Sequence, residues 1–231
     1  MHAIDLPEWA VTRGRALRPL QALNPETTAL LVVDMQNFFL DGSQPLSSPH
    51  TNELVKNVNR LSAALRQVGG EVVWIRHSFA AQRPPEQRRA GDVGASLHAE
   101  LLPGRPAFEL HPDLGVWDTD RQTVKTTASV FHPRSGSDLL DALRAKGIDT
   151  VIVAGVVTNG CCETTARDAA QHGLRVLFAA DGTSALTDAE HNAALLNLML
   201  WFADVRPVDE LIAFIESGAH RAPKAAGQSN P

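Results

Sequence analysis

Apolar runs of strand length alternate along this chain with segments of helical period. Ala29 to Val33 is unbroken apolar sequence ending at Asp34. Leu54, Val58, Leu61, Leu65 and Val68 then recur at helical spacing, and Gly69-Gly70 closes that helix before a second strand, Glu71 to Ile75. A short third strand near Gln122 to Val124 leads into Lys125, after which Ser137 is the expected N-cap of a helix carrying Leu139, Leu140 and Leu143, closed by Gly147. The fourth strand, Thr150 to Ala154, runs into a helix with Cys161 at its start and Gly173 as its stop; Leu174 to Ala179 is the fifth. Thr187 and Glu190 match a capping box ahead of Ala193, Leu196, Leu200 and Ala203, spaced as a buried face. A short strand near Val205 and a helix from Val208 to Glu216 complete the pattern. Uninterrupted apolar strands separated by helices predict an α/β fold, a mostly parallel sheet covered on both faces in three layers, α/β/α.

Residues 79–118 break the rhythm, with Pro84-Pro85, Arg88-Arg89 and little periodicity. They read as a long excursion that shapes a pocket or a subunit contact. The expected organisation is an N-terminal extension over 1–26, one catalytic-sized domain over 27–216 and a flexible tail over 217–231.

Composition narrows the functional classes. With 231 residues, 44% of them hydrophobic, the chain can bury a substantial core without disulfides or metal. A net charge of −5 without a long basic run gives no footprint for nucleic acid, and the longest apolar runs are too short to span a membrane. The two cysteines, Cys161 and Cys162, are adjacent and cannot staple distant segments. With no signal-like leader around Asp5 and Glu8, that usage predicts a reduced, cytoplasmic setting.

Asp34, Lys125 and Cys161 each follow a predicted strand, so a parallel sheet carries all three to one edge, where ligands of such folds bind. An acid, an ammonium and a thiol together point to covalent catalysis. At the start of a helix the macrodipole is expected to favour the Cys161 thiolate, whereas Cys162, about 100° further round the helix, is expected to pack in the core. Separately the three have plainer readings, as turn acid, solvated strand end and small core residue. A noncatalytic nucleotide-binding or interaction module is the rival from another class, but the first strand leads into Asp34-Met35-Gln36-Asn37 and not a glycine-rich phosphate loop.

Val33 to Phe39, then Lys125 with Ser129 and Phe131, then Gly155 to Cys161 and Thr165 to Ala169, resemble in order and spacing the isochorismatase-like cysteine hydrolases, over residues 27 to 215. The resemblance implies a six-stranded parallel sheet in the order 3-2-1-4-5-6, an Asp-Lys-Cys catalytic set at Asp34, Lys125 and Cys161, a non-proline cis peptide between Val156 and Val157, and dimers or tetramers. By the chemistry of those groups, Asp34 takes the thiol proton, the sulfur attacks a carbonyl, and the backbone N–H groups of Val157 and Cys161 form the oxyanion hole. Set against ureidoacrylate amidohydrolases, Phe39, His77 and Phe79 fall at pocket-lining positions.

The expected substrate is a small carboxamide or a ureido or carbamoyl compound, cleaved at carbon–nitrogen through a thioester; the segment Cys162 to Arg167 is similar to the carbamoyl and ureido branch. No cofactor and no metal are expected, because Arg76-His77-Ser78 lacks the Asp-x-His pattern of the metal-binding nicotinamidases and no His-x-x-x-His or Cys-x-x-Cys pair occurs. Arg76, Arg83, Arg88 and Arg89 are candidates for meeting a substrate carboxylate, with solvated surface arginines the default. Arg167 and Asp168 are expected in structural polar contacts. The rival enzyme, an isochorismatase cleaving a vinyl ether without an acyl-enzyme, carries Ala-His-x-Gly where this chain has Val157-Thr158-Asn159-Gly160.

Overall fold

A computed structural model of the protein describes residues 1–19, 23–42, 44, 46–79 and 100–219. Its strands are β1 (Thr28–Val33), β2 (Glu71–His77), β3 (Arg121–Lys125), β4 (Thr150–Val156), β5 (Arg175–Ser184) and β6 (Asp204–Arg206). They form one sheet in the order β3-β2-β1-β4-β5-β6, with every neighbouring pair parallel, as expected. Every residue of the central strands β1 and β4 is buried, which is why both read as unbroken apolar runs.

The helices are α1 (Glu8–Leu17), α2 (Asn37–Leu40), α3 (Thr51–Gln67), α4 (Leu139–Ala145), α5 (Glu163–Gln171), α6 (Asp188–Trp201) and α7 (Val208–Ala219). The two-residue alternation of a strand divides the core between the two faces of the sheet. Leu30 and Val32 of β1 pack with Leu54, Val58, Leu61 and Leu65 of α3 and with Leu211 and Ile215 of α7. Ala29, Leu31 and Val33 pack on the other side with Leu139 and Leu143 of α4, Ala166 and Ala169 of α5, and Leu195 and Leu198 of α6. Two covered faces give the three layers.

Local expectations moved where the signal was ambiguous. The N-cap of α4 is Asp138, one residue later than expected, although the Ser137 hydroxyl still accepts the Leu139 N–H at 3.2 Å. The buried face of α6 consists of His191, Ala194, Leu195, Leu198 and Met199; Ala193 is exposed, while Leu196 and Leu200 are half-buried. A helix apolar on nearly every side offers no phase to read, and α5 on one side and α1 on the other select the face. No helix was expected over α1. It packs on α6 through Gly14, where a Cβ would come within 2.4 Å of Met199 Cγ, and Arg18 closes the contact by donating to the Met199 carbonyl at 2.8 Å.

Strand β5 runs past Ala179 to Ser184 because its pairing with β4 shifts register between Val153 and Gly155. At Gly155 φ is +114°, and an added Cβ would lie 2.1 Å from the Val33 carbonyl oxygen, so only glycine lets β4 pass β1 at this point. The following peptide, Val156–Val157, is cis. Helix α7 continues to Ala219, and the remainder of the predicted tail lies outside the described residues, as do residues 80–99 of the excursion with Pro84-Pro85, Arg83, Arg88 and Arg89. Among the described residues no helix is long and apolar enough to cross a membrane.

Candidate active site

Parallel register brings the three predicted groups to one end of the sheet. Val33 lies beside both Ile75 and Gly155, and Lys125 lies beside His77, so β1, β2, β3 and β4 finish together. Asp34 takes a left-handed conformation, φ +52°, immediately after β1; its N–H donates to the Ile75 carbonyl at 2.8 Å and its own carbonyl accepts the Gln36 N–H at 2.7 Å. A non-glycine residue in that region is uncommon and costs on the order of 1 kcal/mol, a cost the surrounding hydrogen bonds offset. Cys161 stands in a wide turn, Thr158–Cys162, between β4 and α5.

The side chains meet in a buried cluster. Lys125 Nζ donates to Asp34 Oδ2 at 2.8 Å and to His77 Nδ1 at 3.0 Å, with the Asp34 and Lys125 side chains wholly shielded from solvent. A carboxylate oxygen of Asp34, a ring nitrogen of His77 and the Cys161 sulfur lie within 4.8 Å of one another. An ammonium can only donate, so Nδ1 of His77 is the accepting nitrogen and the ring carries its proton on Nε2. These donors resemble a metal set, but the Lys125 ammonium bonds two of them and already supplies the local cation.

Burial alone would lower the Lys125 pKa, yet the charge of Asp34 and the sulfur of Cys161 outweigh it and hold the ammonium above its ordinary value. The thiol runs opposite to the expectation drawn from its place before a helix. Burial and then the Asp34 charge outweigh the favourable Lys125, pushing Cys161 up to about 12. The sulfur therefore carries its proton at neutral pH beside an Asp34–Lys125 ion pair. Among the described residues Asp34 Oδ1 has no hydrogen-bond partner.

The turn is braced from both sides. The Val157 carbonyl accepts the N–H groups of Gly160 at 3.0 Å and Cys162 at 3.3 Å, and Thr158 Oγ1 lies 2.9 Å from His191 Nδ1 on α6. Burial, then the neighbouring His2, lowers the His191 pKa to about 4, so that ring is neutral at ordinary pH. Val157, Gly160 and Cys161 face a cavity of about 450 Å³. Phe39, His77 and Phe79 all line it, the last two in edge contact with ring centroids 4.6 Å apart; Leu46, Leu186, Thr127 and Ala128 complete much of the wall.

Two residues escaped sequence reasoning. The Gln36 amide donates to the carbonyls of His77 at 3.1 Å and Phe108 at 2.8 Å, and accepts the His77 N–H at 2.7 Å. It thereby locks the end of β2 against β1. A glutamine set between Met35 and Phe38, both fully buried, is the signal that marks it. Glu190, read only as part of a capping box, does cap α6, its N–H donating to Thr187 Oγ1 at 3.2 Å, and it also lines the cavity. Arg76 instead bonds Glu109 at 3.2 Å and Gln122 at 3.1 Å and is not part of the cavity wall. Cys162 is fully buried in the core, and Arg167 pairs with Glu163, both as expected.

Residues 28–210 match the family model described as the isochorismatase domain. The chain is 32% identical over 191 residues to Nicotinamidase 3 of Arabidopsis thaliana, covering 81% of this chain and 88% of that one. It is 29% identical over 231 residues to ureidoacrylate amidohydrolase RutB of Pseudomonas savastanoi pv. phaseolicola, covering 90% and 91%. Among solved structures, a cysteine hydrolase from Pseudomonas syringae pv. phaseolicola 1448A aligns with a TM-score of 0.73 at 29% identity, covering 85% of this chain and 95% of that one. With the sheet order, the strand-end cluster and a match spanning most of its length, the chain belongs to the isochorismatase family and is a hydrolase.

Proposed function

We propose that the protein is a cysteine-dependent amidohydrolase that cleaves the carbon–nitrogen bond of a small carboxamide or ureido compound. The observation that carries this reading is the open carboxylate oxygen of Asp34 beside a protonated Cys161 thiol, with the sulfur facing a cavity of substrate size. Two relatives carry names for amide-cleaving activities, a nicotinamidase and a ureidoacrylate amidohydrolase, which supports amide chemistry in general.

As sulfur attacks the carbonyl carbon, the thiol proton passes to Asp34. The raised thiol pKa keeps the nucleophile neutral until a carbonyl is in place, and the Lys125 ammonium then offsets the developing negative charge. The carbonyl π pair moves onto oxygen, where the N–H groups of Val157 and Cys161 receive it, each donor contributing about 3 kcal/mol in comparable sites. When the pair returns, the carbon–nitrogen bond breaks and Asp34 delivers its proton to nitrogen. Ammonia or an amine leaves and a Cys161 thioester remains. Asp34 next takes a proton from water, hydroxide adds to the thioester, and the sulfur departs with that proton, giving acid and free enzyme. Phe39 and Phe79 supply flat apolar walls to a planar acyl group.

The test is ammonia release across simple carboxamides and ureido acids, coupled to mass spectrometry of the quenched enzyme. Wild type should carry an acyl adduct on the peptide containing Cys161, and Cys161→Ala should lose turnover and adduct together. Turnover by Cys161→Ala at a wild-type rate would end this reading, as would vinyl-ether cleavage with no adduct.

A further inference from the structure

We infer that Glu190 makes this site select against anionic substrates, so that its natural amide is neutral or cationic where it faces the α6 wall. The inference rests on the amidohydrolase reading and deepens it by assigning the charge class of the substrate.

The charge balance of the cavity carries the argument. Among the described residues that line it, Glu190 is the one side chain with a fixed charge. Of the two other titratable lining groups, burial pushes the Cys161 thiol up, and His77 takes the Lys125 ammonium on its Nδ1 at 3.0 Å. The Asp34–Lys125 pair beneath them neutralises itself. What remains is one half-buried carboxylate beside apolar walls, close enough to bias the charge of a bound ligand.

Its position is fixed. Glu190 belongs to the first turn of α6, is half-buried, and its Oε2 accepts the Thr187 hydroxyl at 2.8 Å. That bond leaves Oε1 available to a donor, and amide N–H, urea N–H and ammonium groups all satisfy it. A substrate carboxylate at the same wall meets like charge with no described cation in reach. Arg76, the described arginine nearest in sequence to His77, is committed to Glu109 and Gln122.

The test compares reagents of matched size. Cys161 is labelled with neutral iodoacetamide and anionic iodoacetate, the modified peptide identified by mass spectrometry, in wild type, Glu190→Gln and Glu190→Lys. Glutamine keeps an acceptor for Thr187, so the fold is held constant, and melting curves check it. In wild type the iodoacetate-to-iodoacetamide rate ratio should fall below that of a free thiol; Glu190→Gln should raise it about tenfold and Glu190→Lys further, each effect shrinking with added salt. In parallel, ammonia release is followed from 4-carbamoylbenzoate, its methyl ester and 4-(aminomethyl)benzamide, with the carboxylate expected slowest in wild type and recovering in both variants. A labelling ratio that ignores both substitutions overturns the inference. Normal labelling discrimination with no acyl adduct from any amide would instead sink the amidohydrolase reading and leave the charge selection standing.

Discussion

Two buried carboxylates sit on the same sheet and are treated in opposite ways. Asp120, just before β3, is saturated: Arg66 donates to both of its oxygens, at 2.9 and 2.5 Å, and the Trp74 indole and the Trp117 N–H both reach Oδ2, at 2.8 and 2.9 Å. Asp34, after β1, has a single described side-chain donor, Lys125, and keeps Oδ1 open towards the cluster. Burial makes an unpartnered polar atom costly, so the first arrangement maximises stability and the second forgoes some of it. An acid whose lone pairs are all occupied cannot accept a proton without losing its bonds. Under the proposed function the open oxygen of Asp34 is where the thiol proton goes, whereas the closed shell of Asp120 holds strands and helices together.

The largest effect that would sharpen this contrast is at Asp34. Asp34→Asn should lower turnover about a thousandfold, the scale of a lost general base, while the Cys161 thiol titrates at lower pH than in wild type, because Lys125 is then unopposed. Misfolding would also expose the thiol and lower its pKa, so an unchanged melting temperature is what separates a lost proton acceptor from a lost fold. Amide hydrolysis assays and a pH series of thiol alkylation measure the two halves. If activity and thiol pKa fell together with the melting temperature, the two carboxylates would not differ in kind.

Asp120→Ala should do the reverse. It leaves Arg66 buried without its partner, costing about 3 kcal/mol in denaturant titrations, while activity per folded molecule stays at wild type. Burial would raise the Asp120 pKa, but the hydrogen bonds of Arg66, Trp117 and Trp74 outweigh it and hold it below the ordinary 3.8. A depressed folded pKa contributes stability that is fully present above the unfolded value and is lost as pH falls through the folded one. The stability gap between wild type and Asp120→Ala should thus be complete near neutrality and begin to close only below about pH 4. An exposed pair sets the floor. Lys146, whose ammonium lies 2.7 Å from both Glu71 oxygens, is 55% exposed at its side chain, and Lys146→Ala should cost less than about 1 kcal/mol, less still in high salt.

Which of these features were legible beforehand follows a physical line. Asp34, Lys125 and Cys161 were legible because each lies at a strand end or shortly after it, and a parallel sheet aligns strand ends whatever the helices between them do. Phe39, His77 and Phe79 were placed at the pocket by resemblance and do line the cavity. Glu190 was half legible. Its capping role lies within three residues, but its place in the cavity wall depends on how α6 docks, and that face was misread because Leu196 and Leu200 are as apolar as Leu195 and Leu198. Gln36 looked like one more polar turn residue until β2 and Phe108 closed around it.

By itself, the sequence determined the strands and most of the helices between them, the parallel sheet and the residues at or just past its strand ends, because hydrophobic period and cap chemistry act over a few neighbouring positions. Tertiary structure alone decided the electrostatics and the shape of the site: that burial pushes the Cys161 thiol up, that His77 presents its Nδ1 to Lys125, that His2 stacks on His191 at 4.5 Å behind the Thr158–Cys162 turn, and that a glutamate faces the cavity. Protonation and selectivity are sums of burial and Coulomb interactions over groups remote in the chain, and those sums exist only once the chain has folded.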